Sequence, residues 1–299
     1  MAQSEGTKPV VPPPKRSFKN LTNPDSIGYM NFKLVPVPLI TSSPETGVRF
    51  GAAVEYFFNA KNKNLEARGS YLHGQMTFST KNQFEISGGW QVFSKGEKFV
   101  FRGSGGFTSF NERFWGVGNQ TLDNQDYYSQ FYNRNFLDSR NYRLLGKQWY
   151  AGLAMNYSRT YQVRYSRPLT PDLQKIPGVE GSTVFGFGPA VLYEGRNFPF
   201  SATKGSYLEL YYQRHAKVLG ANYSYDEWMF DWRHFIPFGQ TATWAFQFQF
   251  RETGGEVSLR EMPRMGSSTL MRGFFTGSRQ VLYSCPNGIP GPHLEMGVW

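Results

Sequence analysis

A period of two constrains this chain more than any other feature. Val48, Phe50, Ala52, Val54 and Tyr56 alternate with Arg49, Gly51, Ala53 and Glu55. Phe84, Ile86, Trp90 and Val92 oppose Glu85, Ser87 and Gln91, and Trp149, Ala151, Leu153, Met155 and Tyr157 oppose Gly152, Asn156 and Ser158. Trp244, Phe246, Phe248 and Phe250 oppose Ala245, Gln247, Gln249 and Arg251. Successive side chains of a strand point to opposite faces, so each run carries one apolar and one polar face. A soluble sandwich shares this period. Length separates the two, because many runs here reach about 13–18 residues against about 5–6 for soluble strands. Trp90, Trp149, Tyr157, Trp228, Trp232 and Trp244 stand near strand ends, where a membrane barrel places its interfacial aromatic girdles.

Eleven such runs are expected, at 28–40, 46–59, 65–79, 82–94, 97–110, 126–145, 148–166, 181–194, 203–217, 221–236 and 239–254. If the first strand starts on the periplasmic side, two long connections, 111–125 and 167–180, face outward together with the loop from 255. Connections after even strands read as tight turns, apart from 195–202. This asymmetry fits an all-β, transmembrane antiparallel β-barrel. Composition agrees: aromatic residues make up 17% of the chain and there are 32 glycines, while the mean hydropathy is −0.49. No run of about 18 apolar residues offers a membrane-spanning helix. Gly103, Gly105 and Gly106 lie on a strand and suit close packing or a bend. The formal charge of +10 is spread through strands and loops. With no basic cluster or nucleic-acid motif beside it, it points to lumen and rim residues near anionic lipid rather than to nucleic acid.

Several segments resemble the BamA/TamA-type outer-membrane proteins, the bacterial surface antigen family. Met271-Arg272-Gly273-Phe274 is similar to that family's (V/I/M)RG(F/Y) motif, with Met265-Gly266-Ser267 where the family often has L-G-G. Ser43-Pro44-Glu45-Thr46-Gly47 resembles an early strand-joining segment, and Phe114-Trp115-Gly116-Val117-Gly118-Asn119 resembles F(W/Y)G(I/V)GN. Glu194-Gly195-Arg196-Asn197, with Lys204-Gly205 following, resembles D-x-R-D…P-x-x-G, with Glu194 and Asn197 at its two acidic positions. These stretches cover about residues 30 to 278, and the motif follows eleven strands, where the family's sixth outer loop falls.

The resemblance implies a sixteen-stranded barrel in the bacterial outer membrane, with about eleven strands present here. It implies that the Met271–Phe274 loop folds into the barrel and that Arg272 meets acidic or aromatic groups on the inner wall. The implied role is outer-membrane protein assembly, insertion or translocation, with membrane lipid and client proteins or lipids as partners. The alternative is a passive pore or structural barrel. The first strand follows a proline-rich leader directly, which reads as a barrel-only member.

Three regions are expected. Residues 1–27 read as a proline-rich, disordered leader, without the apolar core of a signal peptide. Residues 28–278 read as the barrel. Residues 279–299, with Cys285-Pro286-Asn287-Gly288 and no alternation, read as an aberrant tail. Offset by one base, codons permitted for Leu282 to Val298 encode a strand-like sequence with a Q-x-E-Y-R pattern, so a frameshift near Ser278 to Val281 is the preferred account. Pro36 and Pro38 lack amide donors on one side of the first strand, which marks either a weakened closing seam or a segment that is not a full strand. His73, His215, His234 and His293 lack metal spacing, and no nucleophile elbow or phosphate loop is present. No enzymatic activity and no cofactor is expected. Asp231 and Arg233 share one face of the tenth strand and read as a lumen ion pair or a solvated pair.

Overall fold

Each of the eleven alternating runs forms a strand. A computed structural model describes residues 34–43, 46–58, 68–117, 127–199, 201–239, 242–265, 279–280 and 293–298. The strands are β1 (Leu34–Ser43), β2 (Gly47–Phe58), β3 (Ser70–Ser79), β4 (Phe84–Phe93), β5 (Phe99–Phe114) and β6 (Tyr128–Gly146). They continue as β7 (Trp149–Tyr165), β8 (Ser182–Glu194), β9 (Gly205–His215), β10 (Tyr225–Phe238) and β11 (Ala242–Gly255). Each pairs antiparallel with its sequence neighbours in a single meander. The shortest have 10 residues and β6 has 19. No helix among the described residues is long and apolar enough to cross a membrane.

The first strand is described from Leu34, and 28–33 of its expected run lie outside the described residues. Two strand positions differ from expectation. β3 starts at Ser70, so 68–69, expected inside the third strand, lie before it. The tail, expected to lack a strand, places His293–Val298 as a short strand beside β11. A two-residue pair, Arg264–Met265 with Arg279–Gln280, lies apart from the main sheet. Among the described residues the sheet runs from β1 to the His293–Val298 strand without closing on itself.

The faces sort opposite to a water-soluble protein. Phe50 is 51% exposed, Leu153 50% and Trp244 56%, whereas Glu194, Glu209, Glu227 and Asp231 are at most 4% exposed. On β2, β4, β7 and β11 the apolar face is the outer one, and the polar face turns inward. The concave side contains two apolar clusters with charges between them. Phe93, Val100, Tyr142, Tyr150, Leu192 and Tyr207 pack toward the turn end. Phe114, Tyr128, Val184 and Tyr225 pack toward the loop end, where Val179 of the β7–β8 connection and Val257, Leu259 and Met262 after β11 join them.

Glycine is required at a few points of close approach. At Gly47 φ is +68°, and a Cβ would lie 2.4 Å from the Thr80 hydroxyl. At Gly186 the space a Cβ would take is filled by the His215 ring, 2.2 Å away. That ring stacks flat on Tyr225 at 4.0 Å. Gly186→Ala is therefore expected to push His215 off Tyr225 and destabilise by about 1–3 kcal/mol, the usual cost of overpacking. A denaturant midpoint equal to the parent's would show that the imidazole moves freely.

Candidate functional site

The charges expected in the lumen form one interior network. Glu209 on β9 accepts from the Tyr142 hydroxyl at 2.6 Å, the Tyr207 hydroxyl at 2.8 Å and Arg140 at 2.9 Å. Arg102 on β5 lies 3.4 Å from the same carboxylate and donates to the Tyr207 hydroxyl at 2.6 Å. Arg140 also holds Asp138 at 2.7 Å. Asp231 and Arg233 do pair, at 2.6 Å, and Gln247 donates to Asp231. Strand parity brings these side chains inside, and pairing is what makes their burial tolerable, since an unpartnered charge in a desolvated interior is expensive.

The segment resembling D-x-R-D is a self-contained brace at the turn end. Arg196 grips Glu194 through two bonds, 2.8 Å and 2.6 Å, and lies 4.5 Å over the Tyr207 ring. Glu194 therefore serves as a carboxylate partner here. Asn197, at the second acidic position, uses its amide oxygen to accept from the Thr203 and Lys204 backbone amides. Arg68 donates to the Glu194 carbonyl at 2.7 Å, tying the β2–β3 connection to the same point.

At the loop end the chain leaving β11 turns inward. Val257, Ser258, Leu259, Arg260, Glu261 and Met262 are all buried. The Leu259 amide donates to the Pro177 carbonyl at 2.8 Å, and Ser258 bonds Ser182 at 2.7 Å. Arg260 reaches Glu112 at 2.6 Å and stacks over Tyr132. Arg134 holds Glu261 at 3.0 Å, and Arg251 pairs with Glu227 at 3.0 Å. Nothing in the sequence flagged Arg260 or Glu261. The parity of β5, β6 and β11 could have put Glu112, Arg134 and Arg251 inside, but the loop has no period to read.

Glu261 titrates below the ordinary carboxylate range. Burial alone would raise it, but the guanidinium groups of Arg134 and Arg251 outweigh that, with a Ser158 hydroxyl bond adding to them. Its folded value lies below its unfolded one, so its stabilisation is complete above about pH 4–5 and fades as pH falls further. Below that range the 256–263 segment is expected to loosen, as the Glu261 carboxylate protonates. Protease cleavage within it should rise there and be unaffected between pH 6 and 8. Equal cleavage at pH 3.5 and 7 would exclude Glu261 as the anchor.

Pro36 and Pro38 lie in a full strand that pairs with β2 along its whole length, and β1 is an edge of the sheet. The Thr80 amide donates to the Val48 carbonyl at 2.9 Å, so even residues of β2 turn their backbone groups toward β3 and odd ones toward β1. Their β1 partners are odd as well, since Thr41 faces Arg49 and Val37 faces Ala53. The proline nitrogens, at even positions, therefore face the free edge. Two of its donors are missing, a common way to blunt an edge against unwanted pairing. Pro36→Val with Pro38→Val is expected to increase edge-to-edge association, each restored bond adding about 0.5–1.5 kcal/mol. An unchanged oligomer fraction on semi-native gels would discount a protective role.

Met271, Arg272, Gly273 and Phe274 lie outside the described residues, and so does the inward orientation expected of Arg272. Among the described residues no His, Cys, Asp and Glu cluster is placed to hold a metal ion. No family model matches the chain, and no curated protein matches it. Among solved structures the chain is similar to BamA from Haemophilus ducreyi lacking POTRA domains 1–3, at 13% sequence identity and a TM-score of 0.49. That alignment covers 82% of this chain and 46% of the other, so the chain spans just under half of that structure's length.

Proposed function

We propose that this chain is a β-barrel segment of the bacterial outer membrane that acts in the assembly, insertion or translocation of client proteins or lipids. The observation that carries the membrane reading is the inverted sorting of faces: apolar side chains out, ion pairs in, on strands of 10 residues or more. A spanning strand needs about 9–11 residues, and in lipid every backbone group must be satisfied within the protein, which strands achieve only in a closed barrel. The inward 256–263 segment and the donor-poor β1 edge favour an active role over a passive one. Depletion of the protein in its host, with outer-membrane protein levels as the readout, tests this. Unchanged levels of every other barrel protein would overturn it.

The second reading is a passive pore. Against it stand the paired charges, the two apolar clusters and the chain after β11, all packed on the inward face of the described sheet. Planar-bilayer recordings separate the two readings, since a stable open conductance would favour the pore.

A further inference from the structure

Among the described residues, β1 is apolar on both faces and covered on neither. Cross-strand partners share a face, and Val35, Val37 and Leu39 pair with Glu55, Ala53 and Gly51 of β2. The odd residues of β2 face inward, so these three β1 side chains do too. Leu34, Pro36, Pro38 and Ile40 take the outer face. Leu34 is 54% and Ile40 80% exposed there, and Val37 is 37% exposed on the inner side. A strand apolar on both faces is ordinarily packed on both. β8 follows that rule, since its inward Val184, Ala190 and Leu192 lie buried in the two interior clusters. No β1 residue belongs to either cluster.

Charge bounds this inner patch at both ends. Arg49 and Glu85 pair at 2.8 Å toward the loop end, and Glu55 and His73 meet at 2.5 Å toward the turn end. Between them β2 offers only Gly51 and Ala53, which carry no polar side-chain atom. From Val35 to Leu39 the patch runs about 13 Å, four strand rises of about 3.3 Å. That is close to the depth of one leaflet, half of a hydrocarbon core about 30 Å thick.

The patch opens sideways at the strand edge, an edge of the sheet among the described residues. Pro36 and Pro38 remove two amide donors that would point outward from that edge. An unpaired amide in hydrocarbon is costly, so the centre of this edge suits lipid better than ordinary free backbone does. For the same reason it suits a further β-strand poorly, since such a strand needs those donors. The lipid-facing outer surface therefore continues around β1 onto its inner face without meeting a polar side chain.

Resting on the membrane reading above, we propose that the inner face of β1 binds an acyl chain of a membrane lipid, which reaches it from the bilayer around the Pro36–Pro38 edge. Val35, Val37 and Leu39 contact the chain, and burial of apolar surface on both partners supplies the attraction. The pairs Arg49–Glu85 and Glu55–His73 limit the length of chain that the patch accepts.

The test uses the full chain in phosphatidylcholine vesicles, with Cys285→Ser as the background for single spin labels. Labels replacing Val37 and Leu39 should be quenched by a lipid-soluble reagent as strongly as one replacing Ile40, and spared by a water-soluble one. A label replacing Ser87, which faces inward beside Gln75 and Glu85, should show no lipid quenching. Quenching of 37 and 39 by the water-soluble reagent alone means an aqueous inner face and overturns the site. Protection from both reagents means that a protein segment covers β1, and overturns it too. Lipid quenching at 87 equal to that at 37 means that lipid floods the whole face, and overturns a bounded site. A label replacing Phe248 is read in parallel. No lipid quenching there overturns the membrane reading itself, whereas quenching at 248 with none at 37 overturns the acyl site alone. In the unlabelled chain, phosphatidylcholine carrying a diazirine in its acyl tail should insert into Val37 or Leu39. Insertion confined to the even residues of β1 overturns the site independently of any label.

Discussion

Glu209→Ala is expected to cost about 3–5 kcal/mol, the price of breaking a buried ion pair by removing one member. The carboxylate is 3% exposed and collects bonds from two tyrosines and two arginines. Its removal leaves Arg102 facing only the Tyr207 hydroxyl and leaves Arg140 with Asp138. Glu209→Gln should cost less, since an amide oxygen still accepts from Tyr142 or Tyr207 while the charge balance is lost. Urea unfolding in lipid vesicles provides the measurement. An alanine variant within about 1 kcal/mol of the parent would mean that water, not Glu209, satisfies the guanidinium groups.

Phe248→Arg should cost about 2–4 kcal/mol if its position lies near the bilayer midplane, while Gln249→Arg should be much milder. The two residues are adjacent on β11 and face opposite sides. Phe248 sits edge-on to Phe230 at 5.8 Å on the outer face. The amide of Gln247, on the same side as Gln249, reaches Asp231 inside. Spin labels at 246, 248 and 250 should be quenched by lipid-soluble reagents, and labels at 247 and 249 should not. Equal quenching along the strand would remove the assignment of faces, and with it the membrane reading.

The sheet was legible because period two is a local signal that survives without knowledge of partners. All eleven runs became strands, and their outward and inward faces were readable from Phe50 beside Arg49 or Phe248 beside Gln249. Ends were harder. The third run was expected to include 68–69, yet β3 starts only at Ser70. The His293–Val298 strand was missed because its residues do not alternate, and backbone pairing with β11 does not require that they do.

The site was less legible for a different reason. Parity places Arg102 and Glu209 on inward faces but cannot pair them, since 107 positions separate them. Asp231 and Arg233 were found because they are two residues apart on one strand. The inward course of 256–263 depends on Pro177, Ser182, Glu112 and Arg134, none of which is close in sequence. Pro36 and Pro38 announced their missing donors, but which way those vacancies face needed the Val48 bond as a reference.

The clasp between Arg260 and Glu112 also has a place in time. It closes a span of 148 residues, and contacts of such separation carry a large loop-closure cost and are expected late. An interaction absent from the transition state leaves the folding rate alone and slows unfolding. Arg260 and its neighbours thus act less as a nucleus than as a latch set after assembly, governing how long the finished sheet persists rather than how fast it arises.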